Sequence, residues 1–167
     1  GLEVYGGGGH HYFKFNNDVA KVRVAGSDGG KVWLSGTGNT TKFVLMGGEC
    51  ECADGLPFTE MIANRGTLTV RGNTQRIDYI RAISAVVNLY ASLGYELNIG
   101  GPRAKVNVFD LPGASPAIPL LRMTSGYCGV SSPGTITKLE GLGGTLSTAG
   151  ATSVITVTDA DLHRNKH

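Results

Sequence analysis

NTQRIDYIRAISAVVNLYASLG, residues 73–94, is the longest stretch with a sustained apolar period, and its reading decides the fold. Ile77, Ile80, Ile83, Val87, Tyr90 and Leu93 recur every three or four residues, while Arg76, Arg81, Asn88 and Ser92 fall on the opposite side. That spacing predicts an amphipathic helix over residues 74–93 with one apolar stripe against a core. Asn73 or Thr74 caps its start by accepting from a first-turn N–H, and Gly94 takes the left-handed conformation that ends it. The segments on either side are short, β-prone and broken by glycine, so the helix is expected to lie on a sheet.

The 167 residues suffice for one domain with a core of its own. Only 17% are charged and 26 are glycine. Two causes fit: many tight turns between short strands, or a surface covered by copies of itself or by partners, where charges would be costly to bury. Net charge is +2 with Lys and Arg scattered, so no basic tract marks nucleic acid as the principal partner. Cys50, Cys52 and Cys128 are odd in number and lack framework spacing, which points to reduced thiols. The apolar run 82–93 is interrupted by Ser84, Asn88 and Ser92 and is shorter than the roughly 20 residues a membrane helix needs. No membrane span and no retained signal peptide are expected. Gly1 in first place fits either removal of an initiator Met or cleavage from a precursor.

Residues 1–15, GLEVYGGGGHHYFKF, read as strand, glycine turn and strand, an N-terminal hairpin or arm. The opening Gly1-Leu2-x-Val4-Tyr5, with a turn glycine among residues 6–9, resembles the start of a family of small tailed-bacteriophage virion proteins, whose opening reads Met-Gly-Leu-x-Val-Tyr-Asn-x-x-Gly. The resemblance implies a virion or tail component, assembled in the host cytoplasm, whose partners are copies of itself and other virion proteins.

Residues 19–24, VAKVRV, alternate Val22 and Val24 inward with Lys21 and Arg23 outward. Residues 31–34 and 42–46 form two strands about a GTGNTT turn, which makes a meander. Residues 67–71, 95–99, 105–109, 120–123, 134–139 and 153–157 are further strands, so the central helix sits between two of them. Residues 49–64 lose the alternation, carry Pro57 and read as a loop with one helical turn. LPGASPAIP, residues 111–119, holds three prolines and reads as an arm or an extended connection, the kind of segment that reaches onto a neighbour. Residues 141–152 form an uncharged loop, and the polar tail 159–167 a short helical turn. KVRVAGSDGG, KVWLSGTGN and TLTVRGN share a strand-then-glycine style, but their uneven spacing argues against repeats.

No residue set declares a chemistry. His163 and His167 are four apart, as zinc ligands on a helix are, and His10 and His11 adjoin near the start, but a polar surface explains both pairs. Cys50 and Cys52 have no second thiol pair to complete a metal site. The glycine runs 6–9 and 141–144 lead into no helix and carry no Gly-Lys-Ser/Thr, so they are turns rather than phosphate cradles. Ser35 and Ser125 lack the leading glycine of a nucleophile elbow. Glu49, Glu51, Asp54 and Glu60 read as a solvated acidic loop.

The expected fold is mainly β within the α+β class: a single domain over residues 1–167, an antiparallel β-sandwich or curved sheet of about eight to ten strands with the 74–93 helix packed on it. The expected function is structural, a non-enzymatic homo-oligomeric assembly subunit without cofactor or metal. The alternative is a nucleic-acid-binding β domain. There Trp33, with Tyr12, Phe13, Phe15 and Phe43 as further platforms, stacks on bases beside Lys14, Lys21, Arg23, Lys31 and Lys42.

Overall fold

The computed structural model describes residues 1–6, 8–26, 29–53, 56–72, 77–109, 116–131, 133–148 and 155–162. Among them are seventeen strands and no helix. The odd-numbered strands form one nine-stranded sheet: β1 (Leu2–Gly6), β3 (Val19–Gly26), β5 (Thr40–Gly47), β7 (Phe58–Ala63), β9 (Ile77–Ala82), β11 (Glu96–Ile99), β13 (Ala117–Met123), β15 (Gly134–Gly141) and β17 (Ile155–Leu162). The even-numbered strands form a second sheet of eight: β2 (His10–Phe15), β4 (Lys31–Gly36), β6 (Glu49–Cys52), β8 (Thr67–Arg71), β10 (Val86–Tyr90), β12 (Lys105–Val108), β14 (Tyr127–Val130) and β16 (Thr145–Ser147). Each turn of the chain lays one strand on each sheet, and every pairing is parallel. This is a β-solenoid, a stack of rungs about 4.8 Å apart.

In-register pairing stacks like on like between the sheets. Val22, Phe43, Met61, Ile80, Leu97, Leu121 and Leu139 make one inward column of the first sheet, and Val24, Leu45, Ala63, Ala82, Ile99 and Met123 the next. Opposite them stand Val32, Cys50, Leu68, Val87, Val106 and Cys128, beside Leu34, Cys52, Val70, Leu89, Val108 and Val130. All are buried in one continuous core.

The expected helix over 74–93 is overturned. Residues 77–82 and 86–90 are β9 and β10, in different sheets, and residues 73–76, with the proposed cap, lie outside the described residues. From residue 85 on the buried set is Ala85, Val87, Leu89, Ala91 and Leu93, an alternation of period two, whereas Ile83 and Tyr90, which the helical stripe requires, are only half-buried. The false period has a structural source. Odd strands bury positions i, i+3 and i+5, as in Thr40, Phe43 and Leu45, then Phe58, Met61 and Ala63, then Ile77, Ile80 and Ala82. A three-residue step inside a strand imitates one helical turn.

The antiparallel sandwich falls with the helix, because each sheet is parallel and a strand's neighbours in its sheet belong to the preceding and following rungs. Residues 1–15 are two strands of different sheets rather than a hairpin, and the GTGNTT turn likewise carries the chain from one sheet to the other. The expected loop at 49–64 contains β6 and β7, and the uncharged 141–152 segment contains β16. Within the Pro-rich segment, residues 111–115 lie outside the described residues and 117–119 begin β13, between β11 and β15. Of the tail, 159–162 belong to β17 and 163–167 lie outside.

The strand-then-glycine pieces set aside as non-repeats begin in β3, β4 and β8, the first on one sheet and the other two on the second with β6 between them, so they are strands of one repeating stack. Their spacing is uneven because they sample both sheets and skip a rung, and the repeat along one sheet varies with corner length as well: Ile80 to Leu97 is 17 residues, while Leu97 to Leu121 is 24. A small residue precedes each strand of the second sheet from β6 to β16: Gly48, Gly66, Ala85, Ala104, Gly126 and Gly144. At Gly48, Gly66, Ala85, Ala104 and Gly126 the carbonyl accepts from the first N–H of the next rung's strand, at 2.9–3.0 Å. Gly48, Gly66, Gly126 and Gly144 hold φ between +77° and +95°, which suits glycine.

All three thiols are free and buried. Burial pushes Cys128 up to about 12 and drives Cys52, which also adjoins Cys50, well above its ordinary value. The native protein is therefore expected to leave its three cysteines unmodified by a disulfide reagent at pH 8 and to react at all three once denatured, read by absorbance. An acid whose pKa rises on folding contributes its stability below the unfolded value, 9.0, and loses it as pH rises through about 12. Alkaline unfolding is expected to begin above pH 9, and a Cys128→Ala variant to show a weaker slope there.

Candidate functional site

The outer face of the second sheet collects the groups most able to contact a ligand. Three outward columns run along it: His10, Lys31, Glu49, Thr67, Val86, Lys105 and Tyr127; then Tyr12, Trp33, Glu51, Thr69, Asn88, Asn107 and Gly129; then Lys14 and Ser35, with Arg71 beside Tyr90 farther along. Phe109 follows Val108 at the end of β12. Because parallel register places each residue directly over its counterpart, the columns become ladders of contacts.

At one end the Tyr12 ring stacks on Trp33 at 4.6 Å, with His10 edge-on to Trp33 at 5.1 Å. The Lys31 ammonium lies 4.8 Å from the Trp33 ring centroid and bonds Glu49 at 2.9 Å and Glu51 at 2.7 Å. Arg71 Nε donates to Glu51 at 2.7 Å, and its guanidinium covers Tyr90, which stacks on Phe109 at 4.6 Å. Asn107 donates to Asn88 at 2.9 Å in the middle column, and Lys105 sits over Tyr127. A hollow of about 350 Å³ opens at the corner, lined by His10, Lys31, Glu49 and Thr67 together with Gly29, Gly30, Gly48 and Gly66.

The electrostatics fix these groups in their charged forms. Burial pushes Glu51 up, but hydrogen bonds from Lys31 and Arg71 outweigh it and hold the carboxyl below its ordinary value. The bond to Glu51 raises Lys31. On the first sheet Lys138 and Arg122 both bond Glu140, which is lowered as they are raised. A carboxylate depressed on folding contributes stability above its unfolded value, 4.5, and loses it as pH falls below. Glu51→Gln is accordingly expected to cost about 1 kcal/mol at pH 7 and to flatten the loss of stability below pH 4.5, measured by urea unfolding at stepped pH.

The candidate nucleic-acid contacts do not share one surface. Lys14, Lys31 and Trp33 stand on the second sheet, whereas Lys21, Arg23 and Lys42 stand on the first, across the core. Lys42 is paired with Glu60 at 2.9 Å and Arg23 faces Glu3 at 3.6 Å. Phe43 is buried against Phe58, and Phe13 and Phe15 pack on the core, so none of the three is a stacking platform. Of the acidic group, Glu49 and Glu51 lie on β6 of the second sheet and Glu60 on the first, while Asp54 lies outside the described residues. His10 and His11 are on β2, and His163 and His167 lie outside the described residues. No group of three or more His, Cys, Asp or Glu side chains placed to hold a metal ion occurs among the described residues.

Arg71, Asn107, Phe109 and Tyr127 were not singled out by sequence reasoning, and Tyr90 only as part of the expected helical stripe, since they meet their partners across rungs 19 to 22 residues apart. The stepped spacing of small residues before β6 to β16 is the signal that aligns them. No helix among the described residues is long and apolar enough to cross a membrane. Neither a protein-family model, nor a curated protein, nor a solved structure matches the chain significantly.

Proposed function

We propose that the chain is a structural subunit, a stack of β-rungs serving as a building element of a larger protein assembly. The observation that carries this reading is the pairing of the ionisable groups on both outer faces. Lys31, Glu51, Arg71, Arg122, Lys138 and Glu140 are bonded to one another, mostly across rungs, and Lys31, Glu51, Arg122, Lys138 and Glu140 are shifted toward their charged forms. Groups poised for proton transfer near neutrality are shifted the other way. The ladders brace the stack instead. The outer edges of β1, β2, β16 and β17 offer parallel templates to any further strand, from this chain or another, and Val157 and Leu162 are exposed on β17. A bacteriophage virion or tail is the assembly suggested by the resemblance of the opening residues, which include β1.

The test is native mass by light scattering at moderate salt, with absorbance at 260 nm on the same peak. A large discrete oligomer free of nucleic acid is expected, and Lys21→Ala with Arg23→Ala should leave it intact. A monomer would overturn the structural reading. Salt-sensitive retention of nucleic acid, lost in that double variant, would favour the alternative.

A further inference from the structure

The geometry points to a saccharide-binding site on the outer face of the second sheet, in the hollow between Phe109 and Tyr127 above Gly129. Its volume is about 110 Å³, and Asn107, Ser131 and Val130 complete the lining. Three features of the ladder create it. Tyr90 covers one face of Phe109 from the preceding rung. On the next rung Val130 pairs with Val108 and the small Ser131 follows it, and both Phe109 and Ser131 line the hollow. In the middle column Gly129 follows Asn107, and a Cβ there would come within 2.9 Å of Cε1 and Oη of Tyr127. The absent side chain is what lets the tyrosine ring lie along its own strand as a second wall.

The rim decides the ligand class. Asn107 donates one N–H to Asn88, which leaves its carbonyl oxygen and second N–H to offer, and Ser131 donates to the Val108 carbonyl, so its oxygen presents lone pairs. The Tyr127 hydroxyl adds a donor and acceptor. Among the described residues no charged side chain lines the hollow, and the nearby Lys105 ammonium is placed over the Tyr127 ring. Two aromatic surfaces with amide and hydroxyl partners suit an uncharged ring that has apolar C–H faces and a hydroxyl edge. A pyranose has both, whereas a nucleotide would bring a phosphate that no lining group among the described residues pairs. The site takes one ring of a neutral oligosaccharide, with the chain continuing along the sheet face past Asn88 or Ser147. This does not depend on the structural reading above, since it is read on whatever oligomer the protein forms.

The experiment is saturation-transfer NMR on the full chain with cellohexaose, xylohexaose, maltohexaose and chitohexaose, and adenosine as the competing ring. At least one hexaose is expected to receive transfer. Its affinity should fall at least tenfold in Phe109→Ala and in Ser131→Trp, and stay unchanged in Tyr79→Ala, an exposed aromatic on the other sheet. Ser131 is exposed, so filling the hollow from that position leaves the core intact, which an unchanged melting temperature verifies. Absence of transfer from all four hexaoses, undiminished binding in Ser131→Trp, or transfer to adenosine in their place would overturn the assignment.

Discussion

Replacing Gly66 by alanine is expected to lower the unfolding free energy by about 3 kcal/mol, one of the two largest single-site losses anticipated here. Gly66 turns the chain into β8 with φ +86°, and a Cβ built on it would stand 2.1 Å from the Gly48 carbonyl oxygen. That oxygen already accepts the Thr67 N–H at 2.9 Å, so it cannot withdraw without breaking the bond that links one rung to the next. The left-handed backbone adds about 1–2 kcal/mol for a residue with a Cβ. Thermal unfolding followed by circular dichroism should show a fall of about 6–12 °C, given roughly 2–4 °C per kcal/mol in a domain of this size. Gly8, where nothing lies within 4 Å of an added Cβ, is the control, and Gly8→Ala should stay within about 0.5 kcal/mol of the parent. A Gly66→Ala protein as stable as that control would mean that the corner is not under steric constraint.

Phe43→Ala is expected to cost about 3–5 kcal/mol. Phe43 is fully buried, continues the Val22–Met61 column and meets the Phe58 ring edge-on at 5.7 Å. Truncation removes that contact and leaves a cavity between two rungs that parallel pairing holds at fixed separation, so the site cannot collapse. Because each rung touches mainly its neighbours, the loss should also be local. Amide exchange is expected to rise most in β3 to β8 and least in β12 to β15. Uniform acceleration along the chain would show instead that the stack unfolds as one unit.

Several strands were legible. The alternation in residues 19–24 gave Val22 and Val24 to the core and Lys21 and Arg23 to the surface, as found. The thiols could be read as unpaired, and they are. What misled was the step from Ile77 to Ile80, local evidence for a helix that a rung-by-rung comparison would have cancelled, since the same step recurs at Thr40 to Phe43 and at Phe58 to Met61. Of the candidate surface, Trp33 and Lys31 were visible as an aromatic and a cation, but not their joint contacts. Lys31 meets Glu49 18 residues away, and Arg71 meets Tyr90 at 19.

By itself the sequence determined which residues favour extended backbone, which seek the interior and where glycine permits a sharp turn, because those preferences reside in single residues and their near neighbours. Tertiary structure decided that the strands run parallel, that residues 77–90 contain two strands instead of a helix, and that Phe109 and Tyr127 flank a hollow. Each of these depends on register between rungs joined by corners of unequal length. A one-residue slip in that register would turn every side chain of a strand to the other face, and no local property of the chain fixes it.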